Sequence, residues 1–137
     1  MATNPIFTDV SQAVGTDFDN ADGTALKTIL TAGSGGSRVE SMSIVTDEAG
    51  ANDVMLYVHD GSLDHPVGHI DVPALSGTDG TVNAVSGLNS TNLSWLLIDA
   101  GGNRFINIPS GHSLKAGMRV TVTATETVNM VVFASNY

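Results

Sequence analysis

An all-β fold, an antiparallel β-sandwich of jelly-roll type with an extended N-terminal arm, is predicted by three observations. Apolar–polar alternations recur at roughly ten-residue spacing, clusters of Gly, Asn, Asp and Ser separate them, and no apolar stripe of helical period lasts three turns. A chain of 137 residues is long enough for one self-sufficient core.

Residues 1–23 scatter Ile6, Phe7, Val10, Val14 and Phe18 among Thr, Asp, Asn and Gly without a sustained period, which reads as an irregular arm. Residues 24–137 then form the sandwich domain. Its first strand covers residues 25–31 and ends in the glycine-rich reversal 33–37. Residues 38–46 put Met42 and Ile44 on one face and Ser41 and Ser43 on the other, the alternation of a half-buried strand. Residues 54–59 put Val54, Leu56 and Val58 on one face and Met55, Tyr57 and His59 on the other, before Asp60-Gly61 turns the chain. A fourth strand over 67–72 stops at Pro73, which cannot donate to a central ladder.

Residues 74–89 read as a long loop. Strands at 93–99 and 105–108 flank Ala100-Gly101-Gly102-Asn103 as a hairpin, and Pro109-Ser110-Gly111 is a further turn. The final pair joins residues 119–125, where Val120, Val122 and Ala124 alternate with Arg119, Thr121, Thr123 and Thr125, to residues 128–134. The predicted core is Leu56, Val58, Trp95, Leu97, Val120 and Val122, and a buried Trp95 would cost about 3–5 kcal/mol on truncation to Ala.

Composition excludes several classes. The formal net charge of -9, with five Lys and Arg in all, argues against nucleic acid and against anionic membrane surfaces, both of which need clustered cations. Apolar runs such as residues 95–98 are far too short to span a bilayer, and the N-terminal residues do not read as a secretory signal, so a soluble protein is expected. Cysteine is absent, which removes disulfides and thiolate ligands.

Neither a cofactor site nor a metal site is expected. Gly33-Ser34-Gly35-Gly36-Ser37 lacks the Lys and the following helix of a phosphate loop. Asp17, Asp19 and Asp22-Gly23 miss the calcium-loop spacing, with Ala21 and Thr28 at ligand positions. His59, His65 and His69 lie near Asp60, Asp64 and Asp71, but nothing in the spacing gathers them, so chelation should leave the thermal midpoint unchanged. There is no Gly-x-Ser-x-Gly elbow, and the acids sit mainly in turns, so the chain is not expected to be an enzyme.

Met55, Tyr57, Val131 and Phe133 stand on the second face of strands whose first face is already apolar. With Ile6, Phe7 and Val10, expected to meet a partner surface, they are the candidate protein-interface residues, these four expected to be covered by neighbouring copies of the chain. The stretches LKTILTAG (26–33), GSRVESMSI (36–44), MLYVHDG (55–61), IDVPALSGT (70–78), IPSGHSLKA (108–116) and FASNY (133–137) resemble the capsid decoration, or cement, proteins of tailed bacteriophages. That resemblance implies a virion structural protein, made in the host cytoplasm and carried on the outer capsid surface. Its partners would be the major capsid protein and, as a homotrimer, itself, with stabilisation of the shell as its task. A tail or fibre module recognising a host-surface glycan or receptor is the alternative.

Overall fold

A computed structural model of the chain describes residues 11–88 and 93–137. The strands are β1 (Ser11–Phe18), β2 (Lys27–Thr31), β3 (Ser37–Thr46), β4 (Asn52–His59), β5 (Asp64–Val72), β6 (Val85–Ser86), β7 (Leu97–Ile98), β8 (Arg104–Ile108), β9 (Ser113–Met118) and β10 (Val128–Asn136). They form two antiparallel sheets packed as a sandwich. The first runs β1-β10-β3-β8-β7, with β6 also paired to β3, and the second runs β2-β9-β4-β5.

Period-two alternation aims one side of each sheet inward. From the first sheet come Phe18, Val39, Met42, Ile44, Ile106, Ile108, Met130 and Val132, and from the second Ile29, Leu30, Val54, Leu56, Ile70, Leu114 and Met118, all buried. Adjacent Ile29 and Leu30 are both buried because the β2–β9 register shifts between Thr28 and Leu30, inserting one extra residue and turning the next side chain back to the core. The reversal before β3 closes with the Gly36 amide on the Gly33 carbonyl at 2.9 Å, and Gly36 sits at φ +90°, where a Cβ would be strained.

The structure corrects several boundaries. Residues 11–18, assigned to the arm, form β1, paired to β10 residue for residue from Ser11↔Ser135 to Phe18↔Val128. Its inward side chains Gln12, Val14, Thr16 and Phe18 mix polar with apolar at a sheet edge, which hides the period. Residues 119–125 are not a strand. The strand in this region is β9, six residues earlier and paired with β4, and β10, expected to pair with 119–125, pairs instead with β1 and β3. Of the predicted core, Leu56 and Val122 are buried and Val58 packs against the core from partial exposure. Trp95, Leu97 and Val120 are exposed, because the segments around them are turns and a two-residue edge strand. The 74–89 loop contains β6, and the hairpin at 93–108 shrinks to β7 against β8.

Trp95 has a different job. The β4–β5 register shifts between Leu56 and Tyr57, leaving Val67 as an extra residue, and the Trp95 indole N–H donates to the Val67 carbonyl at 2.7 Å. The side chain straps the bulge of an edge strand while remaining 40% exposed. Trp95→Ala is therefore expected to cost only about 1–2 kcal/mol, one hydrogen bond plus partial apolar cover. Urea unfolding measures it, and a loss of 3–5 kcal/mol would restore Trp95 to the core.

Candidate assembly interface

The sequence-predicted interface residues fall on three separate regions. Ile6, Phe7 and Val10 lie outside the described residues. Met55 and Tyr57 stand on the outer face of the second sheet, alternating with the buried Val54 and Leu56. Val131 and Phe133 stand on the outer face of the first sheet, alternating with buried Met130 and Val132. The sandwich thus holds the two apolar pairs on opposite sides, and no single contact can cover both.

On the second sheet, Met55 and Tyr57 border a shallow depression of about 370 Å³, completed by Thr24, Leu26, Gly117, Met118 and Arg119. Gly117 is what opens it to Leu26. A Cβ at Gly117 would stand 2.7 Å from Leu26 Cδ2, so a larger residue there would push the Leu26 side chain off its place over β9. Polar pairs ring this floor: the ion pairs Arg119 Nη1 to Asp53 Oδ2 at 2.9 Å and Lys115 Nζ to Asp64 Oδ1 at 3.3 Å, and the contact of His69 Nε2 with Asp71 Oδ1 at 3.4 Å. An apolar floor inside a polar rim is the anatomy of a protein contact.

The histidines are tied to separate carboxylates. His59 Nδ1 meets Asp64 Oδ1 at 2.8 Å, and His65 Nε2 meets Asp60 Oδ2 at 2.8 Å. Among the described residues no group of three or more His, Asp or Glu is placed to hold a metal ion. Asp60 also accepts the amides of Leu63 and Ser62 at 2.7 and 2.8 Å. Those bonds, the Leu63 amide foremost and His65 next, hold its carboxyl far below the usual range. The His59 hydrogen bond lowers Asp64 likewise. A depressed folded-state value means that the contribution is present above the ordinary value of 3.8 and is lost as pH falls through the lowered one. NMR titration should find Asp60 still ionised well below pH 3.8, and a midpoint near that value would contradict the turn geometry.

On the first sheet, Phe133 is 44% exposed and lines a depression of about 360 Å³ with Ser11, Gln12, Ala13, Glu40 and Ala134. Its cross-strand neighbours are small, Ala13 on β1 and Ser41 on β3, and Val131 likewise lies between Gly15 and Ser43. A flat floor of small side chains therefore surrounds one aromatic ring. The register shift on β3 leaves Glu40 as the extra residue beside it.

Sequence reasoning missed the apolar side chains at turns and sheet margins, Leu63, Leu97, Ile98 and Val120, each largely exposed. Leu63, Leu97 and Ile98 lie close to Gly, Asp or Asn clusters, whereas Val120 sits in an alternating Thr and Val run that gives no such signal. Four of the five basic residues are ion-paired within the fold: Lys27 to Asp22, Arg38 to Asp99, Lys115 to Asp64 and Arg119 to Asp53. The outward field is accordingly acidic.

The fold and these surfaces define an antiparallel β-sandwich whose exposed features include apolar faces bordered by charge. No family model and no curated protein matches the sequence. Among solved structures the chain is similar to one from the acidic stable capsid structure of Helicobacter pylori bacteriophage KHP30. The TM-score is 0.58 with 10% identity, covering 94% of this chain and 90% of that one. At that identity the likeness is one of fold.

Proposed function

We propose that this chain is a structural component of a bacteriophage capsid, that it decorates the outer surface of the shell, and that it stabilises the shell by binding major capsid subunits. The observation carrying this reading is the end-to-end likeness of the sandwich to a chain of a phage capsid structure. The strand order supports it. β1 pairs with β10, β2 with β9, β3 with β8 and β4 with β5, a nested series shared between two sheets, as expected of a hairpin rolled into a jelly roll. Jelly rolls are a recurrent architecture of viral capsids.

The two opposed apolar faces suit a component with two kinds of neighbour. In this reading Phe133, Val131 and residues 1–10, with Ile6, Phe7 and Val10, face the shell. Met55 and Tyr57 face further copies of the chain in a trimer, where closed symmetry covers a recurring patch. Each bound trimer then favours the assembled shell by mass action and avidity. The chain acts by binding, without catalysis.

Co-sedimentation with shells stripped of this protein tests the reading. Wild-type protein should pellet with the shells to a saturating ratio. Phe133→Asp should weaken pelleting and spare self-association, whereas Tyr57→Asp should lower the oligomer size in light scattering. Wild-type protein that stays in the supernatant would overturn the proposal. A second reading, host-surface recognition by a tail or fibre module, draws on the exposure of Trp95, an aromatic that a sugar could stack on. Glycan-dependent quenching of its fluorescence would favour that reading.

A further inference from the structure

The four sheet margins are not equally protected. β5 carries Pro66, a bulge at Val67 and the Trp95 strap, β2 is short and bulged, and β7 is two residues long. All three are devices that blunt an edge. β1 has none of them. It runs eight residues in unbroken register with β10, contains no Pro, Lys or Arg, and carries one charge, Asp17. Among the described residues nothing pairs with its second side.

Its orientation follows from one hydrogen bond. Lys27 Nζ donates to the Asp17 carbonyl at 2.6 Å from β2 of the other sheet, so that carbonyl points away from β10. Because the peptide groups of a strand alternate in direction, Ser11, Ala13 and Gly15 also aim their N–H and C=O groups at the open side, while Gln12, Val14 and Thr16 bond β10. Lys27 closes the Asp17 end, leaving Ser11 to Gly15 free. One further feature marks the margin as incomplete: Val14 packs against the core yet is only partly buried.

Resting on the capsid reading, we infer that this edge receives an extended segment of the capsid partner, which adds a strand antiparallel or parallel to β1. The surrounding charge selects the occupant. Asp17, Asp19 and Glu40 border the site and the chain carries -9 overall, so a second copy would bring acid against acid, whereas a basic segment meets complementary charge. An apolar side chain of the added strand completes the cover of Val14 on the inner side. On the outer side the strand lies next to Ala13, small enough to let a long side chain reach the depression at Phe133.

Hydrogen exchange on the full chain tests this, free and bound to stripped shells, read by residue after quenching and dissociation. The amides of Ala13 and Gly15 should exchange fast in the free protein and slow at least about tenfold on shell binding, while Gln12, Val14 and Thr16 are slow in both states. Ala13→Pro removes an outward amide without touching the β10 ladder, and should weaken shell binding about tenfold with an unchanged thermal midpoint. Should that variant lose stability, the exchange pattern of wild-type protein still decides. Shell binding without protection of Ala13 and Gly15 overturns the added strand but leaves the capsid reading standing, and absence of shell binding overturns the capsid reading itself. Protection already present in dilute free protein, or appearing on concentration without shells, means that the chain or a second copy fills the edge and overturns the partner assignment.

Discussion

Phe18→Ala should destabilise the fold by about 3–5 kcal/mol, the range for truncating a fully enclosed aromatic. Phe18 has no exposed surface, closes the last position of β1 opposite Val128, and lies beneath the Lys27 ammonium at 5.4 Å from the ring centroid. The size of the effect also decides where the folded unit begins. If residues 11–18 were a detachable arm, removing this ring would leave the denaturation midpoint unmoved. With β1 as the outer strand of the first sheet, the same substitution should shift that midpoint strongly. Deleting residues 2–18 should then expose the β10 edge and the core beneath it, whereas deleting residues 2–10 should spare the fold.

Glu48→Ala should cost about 2–3 kcal/mol, the range for losing hydrogen bonds to a charged acceptor and leaving a donor unpaired. Glu48 is only 6% exposed, and its carboxylate accepts the Thr123 amide at 3.0 Å, tying the loop after β3 to the loop before β10. The backbone on either side is engaged too: the Glu48 amide donates to Thr46 Oγ1 at 2.9 Å and its carbonyl accepts from the Leu75 amide at 3.0 Å. Thr123 Oγ1 lies 2.6 Å from Glu126 Oε2 and 3.0 Å from Glu48 Oε2, but one hydroxyl proton serves one carboxylate at a time. The amide bond is therefore the contribution that belongs to Glu48 alone. Glu48→Gln keeps an acceptor and should lose less than the Ala variant in the same urea titration. Equal losses would mean that the side chain acts through packing.

The strands that could be read from the sequence include the edge strands β2 and β5 as well as the interior β3, β4 and β10. β4, β3 beyond its bulge at Glu40 and β10 up to Ala134 alternate because each second residue must enter the core, and Met42, Ile44, Val54, Leu56, Met130 and Val132 do. Legibility fails at β1, an edge strand, and at β9, an interior one. In β1 an inward Gln12 and Thr16 are tolerated because the edge is open to water, which erases the period. In β9, Lys115 and Gly117 lower the strand signal, although Leu114, Ala116 and Met118 are buried. Residues 119–125 carry the period without the strand, with Val120 at 62% exposure and Val122 buried from a loop. For the interface, the doubly apolar strands revealed that Met55, Tyr57, Val131 and Phe133 face outward. Their separation onto opposite sides depends on which sheet each strand joins, and local pattern holds no such long-range pairing.

Electron cryomicroscopy of the native particle bears most directly on the proposed role. The account predicts density for this sandwich on the outside of the shell, with β1 and Phe133 against major capsid subunits and with Met55 and Tyr57 turned toward other copies of the chain. Density for the chain confined to a tail or fibre, or a shell whose outer surface lacks it, would contradict the account.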